Sequence, residues 1–200
     1  MTPDKIIEIA GFLIGLLYLW WEYHADRRMW IAGLIMPAVS MAVYFSKGLY
    51  ADFAMNIYYL VMAVYGFVVW GPGCDKKKLR EKPNAGEKES LPIRKMPLKV
   101  WLGCGCAFIP IYAAIAAWLV FLTDSNVPYA DAFTTAMSIV ATWMLARKYI
   151  EQWWAWIAVD VVCVALFIYK GIYFYSILYA IYTVIAFFGY AKWKRMMAGH

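Results

Sequence analysis

Three side chains are spaced to hold a flat cation. Trp153, Trp156 and Asp160 fall at intervals of 0, 3 and 7, which on an α-helix puts two indoles and a carboxylate on one face. Indole rings stack on planar groups and attract cations, and the carboxylate supplies the counter-charge. Asp160 is the one carboxylate well inside an apolar run, a placement that costs about 2.5–3.5 kcal/mol on insertion scales. No Lys or Arg lies at its depth. Its partner is then a ligand, a water-filled path, or a hydrogen bond from a neighbouring helix. Trp153 also suits an interfacial tryptophan, because it stands near the end of its run.

A second set is polar without being charged. Asn56 sits mid-run, and Tyr58, Tyr59, Tyr65, Tyr179 and Tyr182 crowd two apolar segments. Polar tips among helices bond one another or a ligand. Asn56, Tyr59, Tyr179 and Tyr182 join Trp153, Trp156 and Asp160 as the expected binding residues. Ser40, Thr134, Ser138 and Thr183 carry less, since hydroxyls readily bond their own helix backbone. Glu8 and Asp131 lie near the ends of two runs, where a solvated carboxylate is ordinary; Lys47 and Lys170 are expected to snorkel.

Covalent catalysis has little to stand on. The two histidines, His24 and His200, are isolated, and no Ser-His-Asp set, HExxH motif or Gly-rich phosphate loop occurs. Cys74, Cys104, Cys106 and Cys163 have no metal-ligand spacing. No cofactor and no metal is expected. A membrane enzyme acting on lipid head groups would need a catalytic His or paired carboxylates near one interface.

The elements that position these residues are set by composition. Hydrophobic residues make up 64% and charged residues 16% of the 200, against roughly 25% charged in a soluble domain. The pattern is that of an all-α integral membrane protein. Seven apolar runs, 6–21, 29–45, 50–70, 98–122, 131–146, 153–169 and 172–193, are long enough to cross about 30 Å of hydrocarbon. The N-terminus lacks a small-residue cleavage site, so no signal peptide is expected. The stretch 71–97 is rich in Pro and Lys and reads as a flexible linker. Sixteen of the nineteen Lys and Arg fall on one side of a seven-span topology and three on the other. The positive-inside rule then puts the linker and C-terminus in the cytoplasm and the N-terminus outside. The net charge of +6 thus reflects topology, not nucleic-acid binding.

The chain also repeats. At an ungapped offset of 123 residues, Trp30 meets Trp153, Lys47-Gly48 meets Lys170-Gly171, Tyr59 meets Tyr182, Gly66 meets Gly189 and Trp70 meets Trp193, within twelve identities in 41 positions. An offset of four spans makes the repeats parallel, a type whose substrate site is expected near the midplane at the repeat interface. The organisation is 3+1+3: residues 1–70 as the first three-helix repeat, the linker 71–97, a connector helix at 98–122, and 123–200 as the second repeat with a short basic tail. Pro37 meets Asp160 and Asn56 meets Tyr179, so the symmetry breaks at candidate site residues.

The segment Ala146-Arg147-Lys148-Tyr149-Ile150-Glu151-Gln152-Trp153, with Trp156 and Asp160 after it, resembles the RKYxExWxxW signature of the PnuC family of vitamin transporters. Tyr65-Gly66 with Trp70, and Gly171 with Tyr173, fit as well, and the resemblance covers nearly the whole chain. It implies a 3+1+3 bundle, a homotrimer, and facilitated diffusion of a vitamin that is trapped by phosphorylation in the cytoplasm. The Asp160-bearing pattern, with Phe188 before Gly189, is similar to the thiamine-transporting branch; the nicotinamide riboside branch, also carrying a flat cation, is the alternative.

Overall fold

Apolar segments in a bilayer must satisfy their backbone internally, which leaves helices as the solution for runs of this length. The computed structural model describes residues 14–46, 50–71, 91–123 and 125–198. Seven helices run through the described residues: α1 over 14–23, α2 Met29–Ser46, α3 Tyr50–Val69, α4 Leu98–Leu122, α5 Pro128–Ala146, α6 Gln152–Tyr169 and α7 Tyr173–Ala198. Residues 6–13 of the first predicted span lie outside the described residues; elsewhere the predicted spans fall on these helices, with two differences. α5 starts three residues early, with Pro128 in its first turn, where a missing N–H is harmless. α7 continues to Ala198, so the basic tail is helix and not a loose end. By length and hydropathy, three described helices suffice to cross a bilayer: Leu98–Leu122, Gln152–Tyr169 and Tyr175–Ala198. α5 falls short of that standard because it carries Asp131 and several hydroxyls, and nine of its residues are buried in protein.

The chain divides into two compact units, Met1–Pro92 and Ile93–His200. In the first, α2 packs on α3, and Tyr18 of α1 comes within 3.6 Å of where a side chain at Gly33 would begin. In the second, α4 packs on α5, α5 on α6 and α6 on α7. α4, expected as a connector, is therefore part of the second unit.

The 123-residue offset holds in the backbone. α1 ends with the N–H of Ala25 donating to the Glu22 carbonyl and that of Asp26 to the Trp21 carbonyl, at 2.9 and 2.8 Å; α5 ends with Lys148 donating to Leu145 and Tyr149 to Met144, at 2.9 and 3.0 Å. Both are Schellman turns. The residue each needs in the left-handed region is Ala25 (φ 52°) or Lys148 (φ 53°), related by the same offset. The next turn repeats too: Trp30 N–H donates to Arg27 and Ile31 N–H to Arg28, as Trp153 does to Ile150 and Trp154 to Glu151.

The far end of the 71–97 stretch is docked on the second unit. Arg94 pairs with the α5–α6 turn, its N–H donating to the Lys148 carbonyl and its carbonyl accepting from the Ile150 N–H, both at 3.1 Å. The Met96 N–H donates to Glu151 Oε2 at 2.9 Å, and the Arg94 guanidinium lies 4.9 Å from the Tyr149 ring centre. Extended chain followed by Pro97 suits this docking. Residues 72–90, and with them Cys74 and six of the loop's cations, lie outside the described residues, as do Glu8, Lys47 and His200.

Candidate functional site

α6 and α7 are held together by a wedge at one end. A Cβ at Gly189 would overlap the Trp153 indole, so glycine is the residue that admits the ring. Trp193 then meets Trp153 edge to face, 5.6 Å between centroids at 87°. The first unit builds the same joint from mates: Trp30 seats on Gly66 and meets Trp70 at 5.6 Å and 88°. Trp153 is 2% exposed. It sits in the wedge with no ring face open, so its described surroundings are those of a packing residue that fixes the α6–α7 distance.

Toward the other end of the helix pair, Phe167 of α6 stacks on Tyr175 and Tyr179 of α7 at 5.4 and 5.3 Å, and Tyr179 meets Tyr182 edge to face at 5.7 Å. Ser176 Oγ donates to the Val164 carbonyl at 3.3 Å. Asp160 lies between these aromatic joints along α6. It is 6% exposed. It forms no hydrogen bond or ion pair among the described residues. One turn back, the Trp156 indole N–H is buried without a hydrogen-bond acceptor. The structure thus brings Trp156, Asp160, Tyr179 and Tyr182 to one helix pair. Asn56 and Tyr59 are half-buried on α3 of the first unit, Tyr59 against Tyr58 at 5.7 Å.

Several other expectations resolve at the same level. Lys170 does not snorkel freely: its Nζ lies 3.2 Å from Asp131, which also accepts from Ser125 Oγ at 3.0 Å. Thr134 and Thr183 bond their own helix backbones. Phe188, used above to separate the branches, is 64% exposed and stands about a third of a turn from Tyr182 on α7. Its identity therefore says little about the α6–α7 interior. An apolar recess of about 410 Å³ opens between α4, α5 and α6, lined by Trp101, Phe108, Met137, Met144 and Trp154 with Glu151 at one end. That carboxylate is already engaged by the Met96 N–H.

Two residues were missed. Phe167 extends the aromatic stack, and only its i, i+7 spacing from Asp160 could have drawn attention to it. Gln152 is 0% exposed, with neither its Oε1 nor its Nε2 hydrogen-bonded. It stands at i−4 from Trp156 and i−8 from Asp160, a helical stripe as regular as the 0, 3, 7 spacing that singled out Trp153.

The chain matches the model of the nicotinamide mononucleotide transporter family over residues 5–195. It is 25% identical over 211 residues to the nicotinamide riboside transporter PnuC of Escherichia coli (strain K12), covering 94% of this chain and 84% of that protein. It is 26% identical over 191 residues to the riboflavin/roseoflavin transporter RibM of Streptomyces davaonensis, covering 93% and 83%. The crystal structure of the vitamin B3 transporter PnuC superposes with a TM-score of 0.70 at 22% identity, over 100% of this chain and 85% of that one. With the family model spanning nearly its full length, this multi-pass membrane protein belongs to the PnuC family of vitamin transporters.

Proposed function

We propose that the protein carries a flat, cationic, nitrogen-ring vitamin down its gradient across the cell's inner (plasma) membrane, by alternating access. The observation that carries this is Asp160: a carboxylate 6% exposed, lacking any described partner, with the unpaired Trp156 indole N–H one turn away. Leaving such groups unmet costs several kcal/mol in a protein interior, and a cationic ring with hydrogen-bonding edges meets both. Tyr182 and Tyr179 would offer aromatic faces, and Asn56 and Tyr59 of the first unit would be further binding residues. Trp153 would act by setting the α6–α7 spacing. The N-terminus is read as outside and the C-terminus as cytoplasmic, from the Lys and Arg asymmetry.

Nicotinamide riboside is the better-supported substrate, because relatives that align over more than nine-tenths of this chain are named as its transporters. Thiamine is the second reading, favoured by Asp160 itself: a protonated carboxyl donates and accepts side by side, matching the ring nitrogen and amino group of an aminopyrimidine edge. Calorimetry on the detergent-purified protein with each vitamin, repeated on Asp160→Asn, separates them. Binding of nicotinamide riboside, weakened in the variant, supports the first reading. Binding of thiamine alone reverses the choice, and binding of neither removes the transport proposal.

A further inference from the structure

The amide of Gln152 meets no hydrogen-bond partner among the described residues. It is fully enclosed with both its donor and its acceptor unmet, and each unmet group in a dry interior is destabilising. The repeat supplies an internal control. The 123-residue mate of Gln152 is Met29, which is also 0% exposed, in the same position after the same Schellman turn. Methionine is close to glutamine in length and volume, and here it fills that place without an unmet polar atom. The fold therefore accepts an apolar side chain at this point, yet the second unit holds an amide.

The same comparison extends along the helix. Gln152, Trp156 and Asp160 follow one another at i, i+4 and i+8, a file about 12 Å long at 1.5 Å per residue. Their mates on α2 are Met29, Gly33 and Pro37, none of which has a side chain that hydrogen-bonds. The file on α6 offers, in order, a two-way amide, a donor indole N–H and an acceptor carboxylate. None has a described partner.

We propose that Gln152 is a further substrate-binding residue: a second hydrogen-bonding station for the vitamin, on the side of Trp156 nearest the Arg147-Lys148 turn. It would take the hydroxylated arm of a substrate whose ring lies at Asp160 and Trp156. A hydroxyl both donates and accepts, which matches a primary amide. Because the station stands between Asp160 and the basic turn, it is met by substrate leaving toward that turn. This inference rests on the vitamin-transport reading above.

The test is initial-rate uptake of labelled nicotinamide riboside and of thiamine into proteoliposomes by wild type, Gln152→Met and Gln152→Asn, with thermal unfolding of each in detergent. Methionine copies the mate in the first unit, so Gln152→Met is expected to fold with an unfolding temperature equal to or above wild type. Its kcat/KM for the transported vitamin is expected to drop about tenfold, the factor for losing one buried hydrogen bond. Gln152→Asn, which keeps the amide but shortens its reach, is expected to raise KM by less. Unchanged uptake by a more stable Gln152→Met would show the amide to be a hydrated structural group and overturn the inference while leaving the transport reading intact. Should Gln152→Met fail to fold, wild-type KM in a folded Gln152→Asn overturns it equally. Wild type that moves neither vitamin removes both readings at once.

Discussion

The two units are built on one frame and equipped differently. Their turns share the same internal backbone hydrogen bonds, and their Trp–Gly–Trp joints agree to the first decimal in centroid distance. At one set of mated positions the polar groups change helix: in the first unit α1 carries Tyr18 and Glu22 while α2 has Met29, Gly33 and Pro37, whereas in the second the α5 mates are Ala141 and Leu145 and α6 carries Gln152, Trp156 and Asp160. The swap is also one of volume. Tyr18 occupies space in front of Gly33, whereas the second unit has the small Ala141 and the large Trp156. A duplicated scaffold thus keeps its joints and frees other positions for chemistry.

The largest effect that would test this division is on transport. Asp160→Asn is expected to lower kcat/KM by about a hundredfold, the scale for one or two hydrogen bonds to a charged group, whereas replacing the mate, Pro37→Ala, is expected to change uptake by less than about threefold. Equal losses at both positions would mean that α2 also carries substrate. On stability, Gly66→Ala and Gly189→Ala each push an indole off its seat, and overpacking of this kind costs about 1–3 kcal/mol. Thermal unfolding should show the two penalties to be alike; tolerance of one alone would break the equivalence of the joints.

Smaller effects sharpen the comparison at the turns. In the first unit Arg28 closes the turn, donating to Asp26 from Nε at 2.9 Å and from its backbone N–H at 2.9 Å, while Arg27 Nε donates to the Phe67 carbonyl of α3 at 2.6 Å. In the second, the mates Tyr149 and Glu151 receive the Arg94–Met96 segment instead. Glu151→Ala is expected to cost about 1–2 kcal/mol through the lost Met96 bond and to make the peptide bonds before Pro97 more open to proteolysis. Asp26→Asn is expected to cost only a few tenths of a kcal/mol at neutral pH, because the pair is exposed and screened. Hydrogen bonds from Arg28 hold the Asp26 carboxyl below its ordinary value. Its contribution is thus full above the unfolded-state carboxylate range and fades as pH falls through the lowered value. An unfolding temperature difference between wild type and Asp26→Asn that persists in strong acid would contradict that assignment.

Much of this architecture was legible in the residues. Trp30, Gly66 and Trp70 and their mates announced the repeat because bulky rings and a glycine leave little room for substitution at a close joint. The left-handed turn residues were not legible, since Ala25 and Lys148 are neither glycine nor asparagine and give no local signal. Arg94 was hidden because docking of three extended residues onto a turn leaves no periodicity in a Lys-rich stretch. In the site, Asp160 declared itself by cost. Trp153 and Gln152 were harder, because intervals of 3 and 4 both return a helix to the same face, and only the neighbouring helix decides which is enclosed by packing. Trp153 has Gly189 and Trp193 against it; Gln152 has no polar neighbour to meet its amide.

α4 introduces a further dependence, on the bilayer itself. At 25 residues and 1.5 Å per residue it is about 37 Å long, against about 30 Å of hydrocarbon, and little of it is enclosed by the rest of the chain. Such a helix must lean, bend at Pro110, or thicken the lipid around it. Because α4 packs on α5, and α5 on the helix bearing Asp160, acyl-chain length becomes a mechanical load on the unit that holds Asp160, and the transport rate becomes a function of the membrane in which it is measured.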